Sequence, residues 1–106
     1  MTIITPGHRY ELLNFNQPNT LGQTLQFIEK VLDTDSQEPG DLRTVNDGTT
    51  NEEVLAVLID RLNFLQAKFP CRENAIVITK LQESLFWLQY RTEQRKLRGV
   101  EGMAKP

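Results

Sequence analysis

Between Pro70 and Gly99 the chain carries neither proline nor glycine. Apolar residues recur through this stretch at helical spacing, so it reads as one long helix opening near Arg72 and closing at Arg98-Gly99, where glycine takes the left-handed conformation that ends helices. Upstream, Thr50-Asn51-Glu52-Glu53 has the form of a capping box: the Thr50 hydroxyl accepts from the Glu53 amide while the Glu53 carboxylate bonds back. The pattern predicts two helices broken once, at Pro70. This hairpin, over 50–98, is what the rest of the chain must accommodate.

The first helix places Val54, Leu55, Leu58, Ile59, Leu62, Leu65 and Phe69 in one broad stripe, with Phe64 roughly opposite, near Val57. Phe64 is thus a surface ring, a contact with strands, a stacking platform or an interface anchor. The second helix is apolar on two sides. Ile78, Leu81, Leu85 and Leu88 suit packing on the first helix, whereas Ile76, Phe86, Trp87 and Tyr90 form a separate stripe. A helix apolar nearly all round is buried nearly all round. Strands can cover part of it, and a second subunit is the natural cover for what remains.

Residues 1–49 follow another period. Arg9 to Phe15 and Gln23 to Lys30 are short runs rich in aromatic and branched residues, separated by Asn16-Gln17-Pro18-Asn19-Thr20-Leu21-Gly22, which predicts two antiparallel strands and a turn. In the second run Leu25 and Phe27 point one way, Gln26 and Ile28 the other. Residues 33–40 read as a mobile polar loop, and Asp41 to Val45 as a short third strand before the Asn46-Asp47-Gly48 turn. Few strands are marginal alone, so the expected fold is α+β: a small N-terminal antiparallel β-sheet packed on the long C-terminal two-helix hairpin. The expectation is a single domain, 1–106, with a tail at 99–106.

A chain of 106 residues, 39% of them hydrophobic, buries only a small core. Its net charge of −2 argues against binding a nucleic-acid polymer. The distribution is uneven, because residues 91–106 hold Arg91, Arg95, Lys96, Arg98 and Lys105 against Glu93 and Glu101. That basic end suits a small anion, a salt-bridged interface, or simply the helix dipole. One cysteine, Cys71, and one histidine, His8, leave neither a disulfide framework nor a metal cluster. Neither a membrane-length apolar run nor a signal peptide is apparent, so a cytosolic location is expected.

Spacing nominates no acid–base pair, no nucleophile with its base and no phosphate loop, so an enzyme is disfavoured and no cofactor is implied. What remains are recognition groups: the Phe64 ring, the Asn74 amide and the Arg91 and Arg95 guanidiniums one helical turn apart. An aromatic face stacks on a base, Asn reads an adenine edge, and paired guanidiniums clamp a pyrophosphate. Taken singly, Asn74 also serves to start a helix, and both arginines can pair with acidic neighbours.

Several stretches join these residues. They are Asp47-Gly48-Thr49-Thr50-Asn51-Glu52-Glu53-Val54-Leu55, Phe64 to Lys68 with Phe69-Pro70-Cys71-Arg72-Glu73-Asn74, Ile78-Thr79-Lys80-Leu81, Trp87 to Arg91-Thr92, and Arg98-Gly99-Val100-Glu101-Gly102. Together they resemble phage proteins with the hairpin domain shared by Thoeris anti-defence and anti-CBASS sponge proteins. Pro6 to Phe15, followed by Gln23 to Ile28, resembles the strand segment of the first Thoeris anti-defence family, which the all-helical anti-CBASS branch lacks. The resemblance implies a non-catalytic sponge that sequesters glycocyclic ADP-ribose, the messenger of Thoeris TIR-domain enzymes, in the cytoplasm of an infected bacterium. It implies ligand contacts by Phe64 and Asn74 at the adenine end and by Arg91 and Arg95 on the phosphates. Cyclic di- and trinucleotides are an alternative or additional ligand, and a purely structural assembly role is the other reading.

Geometry bears on that carry-over. Asn74 and Arg91 lie on one helix, and at about 1.5 Å per residue they are roughly 25 Å apart. A small dinucleotide-like ligand cannot bridge them within one chain, whereas Phe64 and Asn74 flank the Pro70 turn. Antiparallel second helices from two subunits bring the turn end of one to the arginine end of the other. The expectation is a homodimer with two interfacial pockets, with a trimer of dimers as a further level of assembly.

Overall fold

A computed structural model of the chain describes residues 1–20, 22–100 and 103–104. Leu21 of the expected turn, and Glu101, Gly102, Lys105 and Pro106 of the tail, lie outside the described residues. The chain is α+β, with five short strands preceding two helices, and forms two compact units, Met1–Thr50 and Asn51–Pro106.

The first unit holds two antiparallel sheets where the sequence pattern predicts one. Strands β1 (Thr2–Thr5), β2 (Arg9–Leu12) and β3 (Gln23–Gln26) form a sheet in that order, and β4 (Glu29–Leu32) pairs with β5 (Leu42–Asn46) in a second. Strand β1 is an addition to the expected set. Its Thr-Ile-Ile-Thr sequence is β-branched throughout, and Thr5-Pro6-Gly7-His8 turns it onto β2 with the His8 amide donating to the Thr5 carbonyl at 3.0 Å. Proline second and glycine third, with Gly7 at φ 77°, is the pattern of a type II turn.

The run from Gln23 to Lys30 is not one strand, because it changes sheets at Phe27 and Ile28. The Phe27 amide donates to the His8 carbonyl at 2.7 Å, whereas the next amide, Ile28, donates to Thr49 at 2.9 Å. Thr49 in turn donates to Gln26 at 2.8 Å, forming an isolated parallel bridge. Up to that point the expected alternation holds. Tyr10 pairs with Leu25, and the Tyr10 and Phe27 rings meet edge to face at 6.0 Å. On the other face Thr24 Oγ1 donates to Glu11 Oε1 across β2 and β3 at 2.7 Å.

Residues 33–40 join β4 to β5 and are pinned by their own hydrogen bonds. The Asp33 amide donates to Asp41 at 2.8 Å, the Asp35 amide to Asp33 Oδ1 at 3.1 Å, and the Ser36 hydroxyl to the Asp41 carboxylate. The expected third strand is β5, and it pairs with β4 rather than with the first sheet.

In the second unit, α1 (Asn51–Lys68) and α2 (Arg72–Leu97) pack as an antiparallel hairpin across a three-residue connection. The start of α1 follows Thr50 directly, as the capping box predicts, and α2 is capped at its C-terminus by Arg98 before Gly99 turns to φ 70°. Val54, Leu55, Ile59, Leu62 and Leu65 face Ile78, Leu81, Leu85 and Leu88, all at least half-buried. Ile78, at 8% exposure, is the one buried residue among those described. Leu58 and Phe69 depart from the expected stripe. Leu58 sits on its rim, Phe69 lies past the end of α1, and both are exposed.

Gly48 has no room for a side chain. A Cβ there would overlap the Gln26 carbonyl oxygen and stand 2.7 Å from the Phe27 carbonyl carbon. Gly48→Ala is expected to push Thr49 off its bridge and cost about 1–3 kcal/mol, the usual range for forcing atoms into a closed site. Urea denaturation of the two proteins measures it.

Candidate functional site on the helical hairpin

The turn between the helices is locked by one side chain. The Gln66 carboxamide donates to the Cys71 carbonyl at 2.9 Å and accepts from the Cys71 amide at 3.0 Å, so both backbone groups of Cys71 are held from α1. Cys71 then starts α2. It has extended φ and ψ, and its Sγ accepts from the Asn74 amide at 3.4 Å. The Asn74 side chain is therefore not what caps the helix. Nothing in the helical periodicity marks Gln66 or the Cys71 thiol for these roles. The local signal was a residue that can both donate and accept, five positions before a cap.

At about 100° per residue, Asn74 falls on the same face of α2 as Ile78, Leu81, Leu85 and Leu88, and it is half-buried. Its carboxamide has no partner among the described residues. Phe64 lies on the opposite side of α1 from the seam and is 55% exposed, as its position near Val57 predicts. It borders a shallow groove of about 500 Å³ lined also by Glu53, Ala56, Val57, Asp60 and Arg61. The Lys68 ammonium sits over the ring, 4.6 Å from its centroid. Phe64 and Asn74 thus share the turn end of the hairpin but face outward and inward respectively.

The two arginines differ sharply. Arg91 is exposed and has no ion pair or hydrogen bond among the described residues. Arg95 is half-buried, and its Nη2 donates to the Val100 carbonyl at 3.1 Å and the Met103 carbonyl at 2.6 Å, tying the chain beyond α2 back onto the helix. Its Nε is enclosed without a partner. Only Arg91 presents its whole guanidinium.

The outer side of α2 carries a three-ring cluster. Phe86 meets Trp87 edge-on at 5.5 Å and stacks beside Tyr90 at 6.1 Å, while Trp87 and Tyr90 meet edge-on at 5.8 Å. Trp87 is 63% exposed, with Phe86 and Tyr90 about half exposed. These rings hold one another in place and leave a wide apolar surface. No helix is long and apolar enough to cross a membrane among the described residues.

The two-helix hairpin thus presents an aromatic ring and an unpaired amide at its turn and a bare guanidinium toward its far end. The chain belongs to the family described as the Acb2/Tad1 hairpin domain, whose model matches residues 27–93. Phe64, Asn74 and Arg91 lie inside that match and Arg95 just beyond it. A similar protein is Thoeris anti-defense 1 of Bacillus phage SBSphiJ7, 54% identical over 56 residues. The match takes in 52% of this chain and 39% of that protein's length.

Gln66→Ala removes both bonds to Cys71 and is expected to destabilise the hairpin by about 1–2 kcal/mol, as two exchangeable hydrogen bonds would. Faster amide hydrogen exchange at Cys71 and Asn74, relative to the middle of α2, is the specific signature.

Proposed function

We propose that the chain is a phage anti-Thoeris protein that binds and sequesters glycocyclic ADP-ribose without cleaving it, so that the effector downstream of the messenger is never switched on. Membership of the hairpin family supports the class. The observation that carries the ligand is that Phe64, Asn74 and Arg91 stand on this hairpin with the base-reading amide and the phosphate-binding guanidinium unoccupied. The Phe64 ring stacks on adenine, Asn74 reads its edge, and Arg91 takes the pyrophosphate. Arg95, whose Nη2 holds the tail carbonyls, contributes through its remaining Nη1.

The site is shared between two copies. Asn74 and Arg91 are roughly 25 Å apart along α2 at about 1.5 Å per residue, too far for one small ligand. Two α2 helices running antiparallel bring the turn end of one level with the arginine end of the other, and the exposed ring cluster of Phe86, Trp87 and Tyr90 is the surface they bury. That cluster equally favours a second reading, assembly without a ligand. Under it, no nucleotide changes the protein's melting temperature.

Incubation with glycocyclic ADP-ribose isomers, and separately with cyclic di- and trinucleotides, followed by washing and heat release, tests the reading directly. Intact messenger is expected from the wild type, and Phe64→Ala is expected to weaken binding by about 1–3 kcal/mol, the worth of one base–aromatic stack. Recovery of a cleaved product would sink the sequestration mechanism.

The shared pocket has its own test. Asn74→Ala and Arg91→Ala should each abolish tight binding. Mixed in equal amounts and allowed to exchange, they should regain about a quarter of the wild-type sites, because half the dimers are mixed and each holds one intact pocket. No recovery in mixtures shown to exchange subunits would mean that each pocket is built within one chain.

A further inference from the structure

Lys68 sits over the ring assigned to stacking, and the reading above gives it no part. It is the last residue of α1, at the same end of the hairpin as Asn74, and its ammonium lies 4.6 Å from the Phe64 ring centroid. A cation over an exposed ring gains little in water, so this contact is easily exchanged for a better one. The local charge shows why a better one matters. The groove beside Phe64 contains Glu53 and Asp60 against Arg61, a field unfavourable to an anionic ligand. Lys68 brings that neighbourhood to balance.

We propose that Lys68 is a phosphate-binding residue of this site. A base that stacks on Phe64 releases the ammonium from the ring, and its flexible four-carbon stem carries it to the pyrophosphate of the same ligand. Phe64 and Lys68 then form a base-and-phosphate grip within one protomer. The partner's guanidinium closes on the other side of the pyrophosphate. The inference rests on the nucleotide-binding reading, and it assigns the first phosphate contact to the chain that supplies the stacking ring.

Titration of glycocyclic ADP-ribose into wild type, Lys68→Met, Lys68→Arg and Phe64→Ala, each at low and at physiological salt, decides it. Met keeps the apolar cover over the ring and removes only the charge. Lys68→Met is expected to raise Kd about 5- to 10-fold at low salt, as loss of one charge-assisted contact would, and to make binding less sensitive to salt, because one screened ion pair is gone. Lys68→Arg should stay within about twofold of wild type, because it retains the charge. An unchanged Kd and salt dependence in Lys68→Met, alongside weakened binding in Phe64→Ala, overturns the role of Lys68 and leaves the site standing. No binding by the wild type overturns both readings together.

Discussion

Two packed helices share one seam, and that limit governs most of what the hairpin presents. Each helix can bury a single stripe against the other, which here leaves Ile78 as the one buried residue among those described. The apolar residues beyond the seam are left exposed. On α1 this is Phe64, opposite the stripe of Leu55, Ile59 and Leu62. On α2 it is the Phe86, Trp87 and Tyr90 cluster, where a side chain burying 150–250 Å² when covered makes a strong contact surface. A helix as amphipathic as an ordinary surface helix would need neither.

Local backbone locks compensate for so thin a seam. Gln66 holds both polar groups of Cys71, so the connection between the helices leaves those donors and acceptors satisfied, and the Cys71 thiol supplies a cap where Ser or Asp is usual. In the strand unit the same device recurs at Gly48, where the absence of a side chain lets the chain close against Gln26 and Phe27. Both locks lie in stretches that the family resemblance also picks out. Their sequence identity is explained by backbone geometry without reference to any ligand.

The helices were legible because their signals are periodic and redundant: Thr50 to Glu53 marks one start, Pro70 the break, Gly99 the end, and the spacing of Ile78, Leu81, Leu85 and Leu88 gives the inner face. The strands were less so, because a four-residue strand carries almost no periodicity. Gln23 to Lys30 alternates like one strand, and the switch of sheets at Phe27 is set by distant residues, His8 and Thr49, that no local pattern records. Strand β1 was readable in principle from Pro6-Gly7 after a β-branched run. Of the candidate site, the outward setting of Phe64 followed from its angle on the helix. The unequal fates of Arg91 and Arg95 did not, since a spacing of four places both on one side and says nothing of the tail that Arg95 ties down.

That inequality separates a guanidinium used by the fold from one left to solvent. A guanidinium held by backbone carbonyls through one nitrogen, as Arg95 is, is positioned by the fold and contributes structure on its own. One left bare in water, as Arg91 is, keeps its full set of donors for a phosphate, but it sits far along α2 from Asn74. Lys68 and Phe64 occupy the turn end instead, with the cation resting on the ring. Separation along α2 therefore keeps Asn74, with Phe64 and Lys68 beside it, at one end of the hairpin and the bare guanidinium of Arg91 toward the other. On one straight helix the two ends cannot be brought together within a single chain.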